Sequence, residues 1–476
     1  MRRPALTAGA LAAALVAALL AGCALPPPQP PPASTISPPE AWRTAGPAAP
    51  AQPAIAPGWW QAFGDPALDA LVQQALAANP GLREARARVD SARATVTMAE
   101  SVLYPTVAAG GAVWHAALDG HVSGLPGDML QSYERARSGT GHIVGLGATW
   151  EPDIFGGARD DISAAASMVQ VQENAERGAR LTLVADIVEN YQQAQGLRRR
   201  GAILQRSIAE ADRLTAYARA RMRAGQATAA DVTRAETAAA ALRAEQGLLY
   251  ALLDGRKRRL AVLTGATPET PVTLSDPALP VIPPAPAGQL PSDVLARRPD
   301  VLAASAAVDA RAAQLKGAHA DLLPRFGINF IGQTGHIALG GLPGLDGHSA
   351  VLGLSAWIPL FTAGRLQAQV RASDAELRAA LAARDAALLQ ALGDVEIAYA
   401  FRTGLDSRLS GLTAANSLST RRADEQMILY RSGRVRLSDV IEARLQALKD
   451  EDAVEQARIA QGSAAVQLVR ALGGGW

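Results

Sequence analysis

The chain has 476 residues, of which 49% are hydrophobic, and it carries 46 basic and 44 acidic side chains. This near balance gives no indication of a nucleic-acid partner, which would call for a concentration of basic residues. The single cysteine excludes disulfide bonds within the chain. After the first residues no apolar run reaches about 20 residues, so a mature chain that crosses a membrane must do so with short strands in a closed barrel.

The N-terminus has the layout of a secretory signal peptide. Two arginines precede an apolar run over residues 5–20, which ends in Leu-Ala-Gly-Cys at Cys23. This ending resembles the lipobox of bacterial lipoproteins, in which the cysteine is acylated and becomes the mature N-terminus. The resemblance implies a signal peptide over residues 1–22, palmitate-type lipidation of Cys23, and outer-membrane sorting because Ala24 is not Asp. An ordinary cleavage site beside an unrelated cysteine is the alternative.

Residues 23–57 are rich in proline and predict an extended tether. Beyond the tether the chain is duplicated, with a first repeat over residues 58–266 and a second over residues 267–476. Six landmarks recur in the same order: Asn79-Pro80 with Arg298-Pro299, Tyr104-Pro105 with Leu323-Pro324, Trp150 with Trp357, Tyr191 with Tyr399, Gly225 with Gly433, and Asp231-Val232 with Asp439-Val440. An ordered series of this length is not expected by chance.

Each repeat starts with a helix that ends at a proline, and two strands follow. The strands are predicted at about 106–115 and 142–152, and at about 325–335 and 349–359. Alternation places Val144, Leu146, Ala148 and Trp150 on one face of the second strand. The fourth strand stays ambiguous, because its leucines favour one phase and the match of its tryptophan to Trp150 favours the other.

A glycine turn after each strand pair leads into a helix of roughly 65 residues, which spans on the order of 100 Å. Gly225 and Gly433 end these long helices, and return helices of more than about 30 residues follow each of them. Apolar residues such as Val184, Ile187 and Tyr191 recur at near-heptad spacing and predict a packed seam. The charged positions between them are expected to face water.

Four strands cannot close a barrel, since small barrels need about eight. The long helices are likewise too thinly apolar to form a compact core. The sequence therefore predicts a mixed α/β fold in which several chains close one β-barrel and one tube of helices.

Three stretches carry a resemblance to a known family: residues 58–68, residues 290–300 with the string Pro-Ser-Asp-Val-Leu-Ala-Arg-Arg-Pro-Asp, and residues 430–440. They are similar to the TolC/OprM family of outer-membrane efflux proteins, especially its NodT-type lipoprotein branch. The resemblance implies a homotrimer with a transmembrane β-barrel above a periplasmic α-barrel. It also implies a periplasmic adaptor and an inner-membrane pump of the resistance-nodulation-division (RND) type as partners.

The predicted function is passive conduction of small molecules, as in multidrug efflux, through the outer membrane. No phosphate loop or nucleophile elbow is present, so we expect no enzyme activity, cofactor or nucleic-acid partner. Five of the six histidines lie in or beside the strands and loops, without metal-ligand spacing: His115, His121, His142, His336 and His348. Two alternatives stay open: a structural coiled-coil envelope lipoprotein, and the exit duct of a type I protein secretion system.

Two sets of site residues are predicted at the ends of the strands and helices. Trp150 and Trp357 suit an aromatic girdle at the membrane interface. By the family resemblance, the helix tips meet the adaptor, and the tip residues are Gly225, Gln226, Thr228, Gly433 and Arg434. For the tip glycines, a purely structural turn is the alternative.

The third predicted site is a periplasmic gate. Asp439 and Glu442 lie three residues apart and therefore share one helical face. In the related channels these two positions point into the closed periplasmic mouth. The first repeat has Asp231 in the place of Asp439, but Arg234 in the place of Glu442, so the repeats are not equivalent. Capping of the return helix is the other explanation for Asp439.

Overall fold

A computed structural model describes residues 34, 36–44, 57–117, 127, 138–275, 281–339 and 344–475. Cys23 and His121 lie outside the described residues, as do the signal peptide and most of the predicted tether. The chain divides into two compact units. The first unit holds the strands and the helix segments next to them, and the second holds the rest of the helices.

The elements of the two repeats follow the same order. The first repeat contains a 3-10 turn (Trp59–Phe63), α1 (Pro66–Ala78), α2 (Pro80–Ser101), β1 (Thr106–Ala117), β2 (Ser138–Trp150), α3 (Gly157–Arg223) and α4 (Ala229–Leu263). The second contains α5 (Pro291–Arg297), α6 (Pro299–Ala320), β3 (Arg325–Leu339), β4 (Leu345–Trp357), α7 (Arg365–Arg431) and α8 (Leu437–Ala471).

Corresponding long helices have equal lengths: α3 and α7 contain 67 residues each, and α4 and α8 contain 35 each. Pro66, Pro80 and Pro299 stand at first helical positions, where the missing amide proton has no intrahelical acceptor to lose. None of the helices in the described part of the chain is both long and apolar enough to span a membrane.

The first unit is built on one antiparallel sheet with the strand order β1-β2-β3-β4. Strands β2 and β4 begin at Ser138 and Leu345, nearer the loops than the sequence predicted, and they end at tryptophans. The ladders stop before Pro152 and Pro359, because proline has no amide proton to donate.

The register of the sheet separates two faces. Ala148 lies opposite Val107 and Phe330, and Phe330 lies opposite Leu352, so these side chains share a face. That face is apolar: Val107, Val113, Val144, Leu146, Ala148, Trp150, Phe326, Ile328, Phe330, Leu352, Leu354 and Ala356. The other face carries glycines and small or polar residues such as Thr149, Asn329, Gln333, Ser349 and Ser355, with Trp114, Trp357 and several aliphatic side chains between them.

The register also settles the face of the fourth strand. Thr106 pairs with Thr149, whereas its counterpart Arg325 pairs with Trp357. The two hairpins therefore differ by one residue in register, and a shift of one residue moves every side chain to the other face. As a result Leu352 and its apolar neighbours share the face of Trp150, and Trp357 lies on the opposite face.

The second unit has its main core around the 3-10 turn and α3. Ile187, Val188 and Tyr191 of α3 are fully buried, together with Leu68 of α1 and Leu260 of α4. The near-heptad seam predicted for α3 is thus present. A second cluster joins Val294, Val395, Tyr399 and Leu468 of the second repeat with Trp42 of the segment before the first repeat.

A polar network crosses the first core. The Tyr191 hydroxyl donates to Asp65 Oδ2 at 2.6 Å, and the Ser275 hydroxyl donates to the same oxygen at 2.7 Å. Burial raises the pKa of Asp65, but the hydrogen bonds from Tyr191, Ser275 and the first amides of α1 outweigh this effect and hold that pKa below its usual value. Burial and the bond to Asp65 in turn raise the pKa of Tyr191.

Arg298 organises the second core. Its guanidinium donates to the Ala471 carbonyl at 3.0 Å, to Asp300 at 2.7 Å and to Asp394 at 3.0 Å. It therefore links the end of α5 and the start of α6 to the middle of α7 and the end of α8. In the first repeat the smaller Asn79 holds the position that corresponds to Arg298. Its side-chain amide donates to the Leu263 carbonyl at 2.8 Å and so contacts the end of α4.

Candidate functional site at the helix tips

The first tip joins α3 to α4 through a left-handed glycine. Gly225 has a φ of +70°, a conformation that side chains disfavour. Its amide donates to the Met222 carbonyl at 2.9 Å, and the Gln226 amide donates to the Arg221 carbonyl at 2.8 Å. These two bonds close the end of α3, as expected for a glycine after a helix.

The second tip joins α7 to α8 with the same geometry. Gly433 has a φ of +71°, its amide donates to Tyr430 at 2.9 Å, and the Arg434 amide donates to Leu429 at 2.9 Å. Among the described residues, nothing lies within 4 Å of the position that a Cβ would take at Gly225 or Gly433. Both glycines are therefore required by the backbone and not by crowding.

The aspartates of the predicted gate cap the return helices. Asp231 Oδ2 accepts from the Thr228 amide at 2.9 Å and from its hydroxyl at 2.8 Å. Asp439 Oδ2 accepts from the Arg436 amide at 2.9 Å. The bonds from Thr228, chiefly that from its amide, hold the pKa of Asp231 below its usual value. The capping contact considered as the alternative for Asp439 is thus present.

The structure brings Asp231 and Glu442 together along one groove of about 860 Å³ between α3, α4 and α8. Arg234 and Arg436 line the same groove, and Arg234 lies 4.0 Å from Asp231. The groove is therefore lined by acids and bases from both tips. On α4 the acid Asp231 has the base Arg234 beside it. At the position on α8 that corresponds to Arg234, the second repeat has the acid Glu442.

The first tip has an additional brace that the sequence analysis missed. The Arg221 guanidinium donates to the Gln226 carbonyl at 3.0 Å and lies 5.8 Å from the centre of the Tyr217 ring. In the second repeat Leu429 holds the place of Arg221, so this brace has no counterpart there. The sequence signal that could have revealed it is the difference between the repeats at Arg221 and Leu429.

Ion pairs between α3 and α8 correct the expectation that the charged positions face water. Arg199 lies 2.7 Å from Glu455, and these side chains are only 10% and 5% exposed. Three further pairs extend the row along the seam: Arg200 with Asp452 at 2.7 Å, Arg206 with Glu451 at 2.6 Å, and Arg444 with Glu210 at 3.6 Å. We call these four pairs the ion-pair ladder. The ladder fastens α8, the helix that carries Glu442, to the long helix of the other repeat.

Within the described ranges no group of three or more His, Cys, Asp or Glu side chains could hold a metal ion. The tips present charged side chains along a groove between helices. Long duplicated helical hairpins with a four-stranded antiparallel sheet define the class of the outer-membrane channel subunit.

The chain belongs to the outer membrane efflux protein family, whose sequence pattern matches residues 71–266 and 290–474. The resemblance and the function class predicted from the sequence are confirmed: this is an outer-membrane efflux component and not an enzyme. The coiled-coil spacer lipoprotein considered as an alternative is excluded by this membership.

Relatives and solved structures agree with the family. The pyoverdine export outer membrane protein OpmQ of Pseudomonas putida is 28% identical over 93% of each chain. The toluene efflux pump outer membrane protein TtgC of Pseudomonas putida is 28% identical over 88% of this chain and 85% of its own. The structure of the outer-membrane channel OprN is 27% identical and covers 94% of this chain and 99% of its own with a TM-score of 0.80. This similarity confirms the predicted fold of long helices and a four-stranded sheet.

Proposed function

We propose that three copies of this chain close into one passive channel, which carries small molecules across the outer membrane for a pump in the inner membrane. The observation that carries the proposal is the sheet. Its order leaves one edge of β1 and one edge of β4 without a strand partner among the described residues. Exposed edges of this length invite pairing with another chain, and three sheets of four strands would make a twelve-stranded barrel.

The two faces of the sheet support a membrane location for that barrel. Val113, Leu352 and Leu354 on the apolar face are at least 71% exposed in the single chain. In the closed barrel this face would lie against lipid, and the opposite face with Asn329 and Gln333 would line the lumen. The alternation of apolar and polar faces across four strands supports both assignments.

The long helices carry apolar side chains that the chain itself leaves uncovered. Ile397, Phe401 and Ile428 of α7 are 60% to 65% exposed, and Leu248 and Leu252 of α4 are exposed as well. Neighbouring copies would cover such residues in a ring of helices. This supports a second interface between the copies, in addition to the strand edges.

The aromatic girdle is proposed for Trp150 alone. Its side chain lies on the apolar face, and its indole nitrogen donates to the Leu103 carbonyl at 3.0 Å. An indole with one apolar side and one satisfied polar group suits the membrane interface. Trp357 lies on the lumen face under this proposal and is not part of the lipid-facing girdle.

The partners are proposed from the relatives and the tips. OpmQ is named for pyoverdine export and TtgC for toluene efflux, so we propose small-molecule cargo and not secreted protein. An RND-type inner-membrane pump would supply the energy through a periplasmic adaptor. The adaptor would meet the glycine tips, which are open on the side of the absent Cβ. Acylated Cys23 would add a lipid anchor.

The gate is proposed at Asp439 and Glu442, with Asp231 on the neighbouring tip. Three copies would place rings of acids around a narrow pore, and such rings attract cations. The double substitution Asp439→Ala, Glu442→Ala is expected to weaken cation selectivity and block by multivalent cations. Since Asp439 also caps α8, the single substitution Glu442→Gln separates the two roles, because it removes charge without removing the cap.

Two measurements on the detergent-solubilised protein test the proposal. Native mass spectrometry is expected to show three chains, and planar bilayers are expected to show cation-selective single-channel currents. A stable monomer would refute the architecture. Trimers whose ion selectivity is unchanged after Glu442→Gln would support the channel but would show that Glu442 is not part of the gate.

A further inference from the structure

The four strands share an unusual feature at their loop ends. Each carries one histidine there: His115 on β1, His142 on β2, His336 on β3 and His348 on β4. His142 lies directly opposite His336, while His115 lies opposite Thr140 and His348 opposite Thr334. Residues opposite each other share a face. All four imidazoles therefore lie on the apolar face, the same face as Trp150.

The level of the histidines along the strands is well defined. Eight residues separate Trp150 from His142, which is about 27 Å along an extended strand. A strand tilt of about 40° reduces this to a height of about 20 Å, close to the roughly 25 Å apolar band of an outer-membrane barrel. The histidines thus stand where the apolar band ends, on the side away from the helices.

The side chains there are accessible and arranged in order. His115, His142 and His348 are exposed. The rings of His142 and His336 are stacked with centres 5.9 Å apart, and His336 Nδ1 lies 2.8 Å from Asp346 Oδ1. In the described strands Asp346 is the only acid on this face, and no lysine or arginine shares it.

We propose that these four residues form a histidine girdle that binds the phosphate groups of outer-leaflet lipid. Imidazoles have an apolar body and a polar edge, so they suit the boundary between acyl chains and headgroups in the way that Trp and Tyr do. Unlike those residues, they can also become charged donors to a phosphate. A trimer would present twelve of them around the barrel. The inference rests on the proposed function, because it requires the apolar face to lie against lipid.

The position of the girdle favours a lipid phosphate over free phosphate. Below His142 the same face continues through Val144, Leu146 and Ala148. A headgroup held by the imidazoles would therefore keep its acyl chains on this apolar surface. On the described part of this face Asp346 is the only acid, and its Oδ1 lies 2.8 Å from Nδ1 of His336.

The test uses the full-length trimer, stripped of metal with a chelator and offered two lipids with the same acyl chains. One is bisphosphorylated lipid A and the other is a phosphate-free glycolipid. Native mass spectrometry counts the lipids retained. The four-site variant replaces His115, His142, His336 and His348 by Gln. The matched control is His319→Gln, since His319 lies on α6 and its Nδ1 contacts the Leu315 carbonyl at 2.8 Å.

We expect the wild type and His319→Gln to prefer the phosphorylated lipid at least about tenfold, since hydrogen bonds to charged groups are among the stronger ones. The four-site variant is expected to lose that preference while its single-channel conductance stays normal. The two-site variant His115→Gln, His348→Gln is expected to lose part of the preference, and its result is used if the four-site variant does not assemble. Inorganic phosphate in tenfold excess over lipid is expected to displace little of it.

Three results would overturn the histidine girdle. One is an unchanged lipid preference in the four-site variant, another is a preference that appears only when divalent cations are restored, and the third is an unchanged preference in the two-site variant. A wild type that forms no conducting channel would instead refute the proposed function. The two failures are therefore distinguishable.

Discussion

The buried end of the ion-pair ladder allows a quantitative test of how α8 is held. Glu455 and Arg199 are almost fully buried and lie 2.7 Å apart, and Arg458 is a second partner of Glu455. Glu455→Met removes the acid that pairs with the buried Arg199. Loss of one partner from a buried pair costs about 3–5 kcal/mol. Arg199→Met should cost less, about 1–3 kcal/mol, because Arg458 still pairs with Glu455.

The double variant Arg199→Met, Glu455→Met separates the pair from its packing. It replaces both charges by apolar side chains of similar length, and such replacements of buried pairs are often close to neutral. We therefore expect it to be more stable than Glu455→Met alone. The matched control is Arg206→Met, which breaks a more exposed pair of the same ladder and should cost at most about 1 kcal/mol.

The assay is denaturant unfolding followed by helical circular dichroism, with all variants at one protein and detergent concentration because assembly shifts the apparent stability. Single-channel recording of the same variants shows whether loosening α8 also raises the open probability of the gate. If Arg206→Met costs as much as Glu455→Met, or if the double variant shows the sum of the two single losses, then burial of the pair is not what sets its energy.

Four further predictions concern the core, the tips and the anchor. The depressed pKa of Asp65 means that its contribution to stability is complete above the unfolded value of about 3.9 and is lost as the pH falls through the lower folded value. Unfolding free energies measured between pH 6 and pH 2 should therefore fall more steeply for wild type than for Asp65→Asn; parallel curves would contradict this. Tyr191→Phe should cost about 1–3 kcal/mol in the same measurement, because it removes one of the donors to the partly buried, charged Asp65, and no loss would contradict the bond. Asn tolerates left-handed backbone, so Gly225→Asn and Gly433→Asn should keep the trimer by native mass spectrometry yet reduce export in a drug-susceptibility assay; unchanged export would show that the tips do not dock the adaptor. Cys23→Ser should abolish incorporation of radiolabelled palmitate, and labelling that persists would exclude the lipobox.

Local pattern was enough to predict much of the fold. Prolines and left-handed glycines mark the helix ends at Pro80, Pro299, Gly225 and Gly433, because each imposes a backbone constraint that depends on nothing distant. The two-residue alternation gave the faces of β2, and the near-heptad spacing gave the buried side of α3. The family resemblance then supplied the class of protein.

Features that depend on pairing across the fold were not predictable in this way. The one-residue difference in register between the hairpins depends on which residues face each other, and Trp357 carries no local sign of it. Arg199 and Glu455 look like any exposed charged residues, because burial is decided by the helix packed against them. Likewise Ser275 lies in an irregular segment, and only the structure shows that it completes the contacts of Asp65 with Tyr191.

The matched lengths of the helices constrain how this chain can change. One residue added to α3 would advance its end by about 1.5 Å and rotate it by about 100°, which would turn Gly225 and the Thr228 cap away from their present direction. A single insertion in one long helix would leave the two tips of the chain at different depths. Insertions and deletions should therefore be tolerated in whole turns, and only when α7 and both return helices change by the same amount. The two repeats therefore have equal helix lengths of 67 and 35 residues even at positions where their side chains differ.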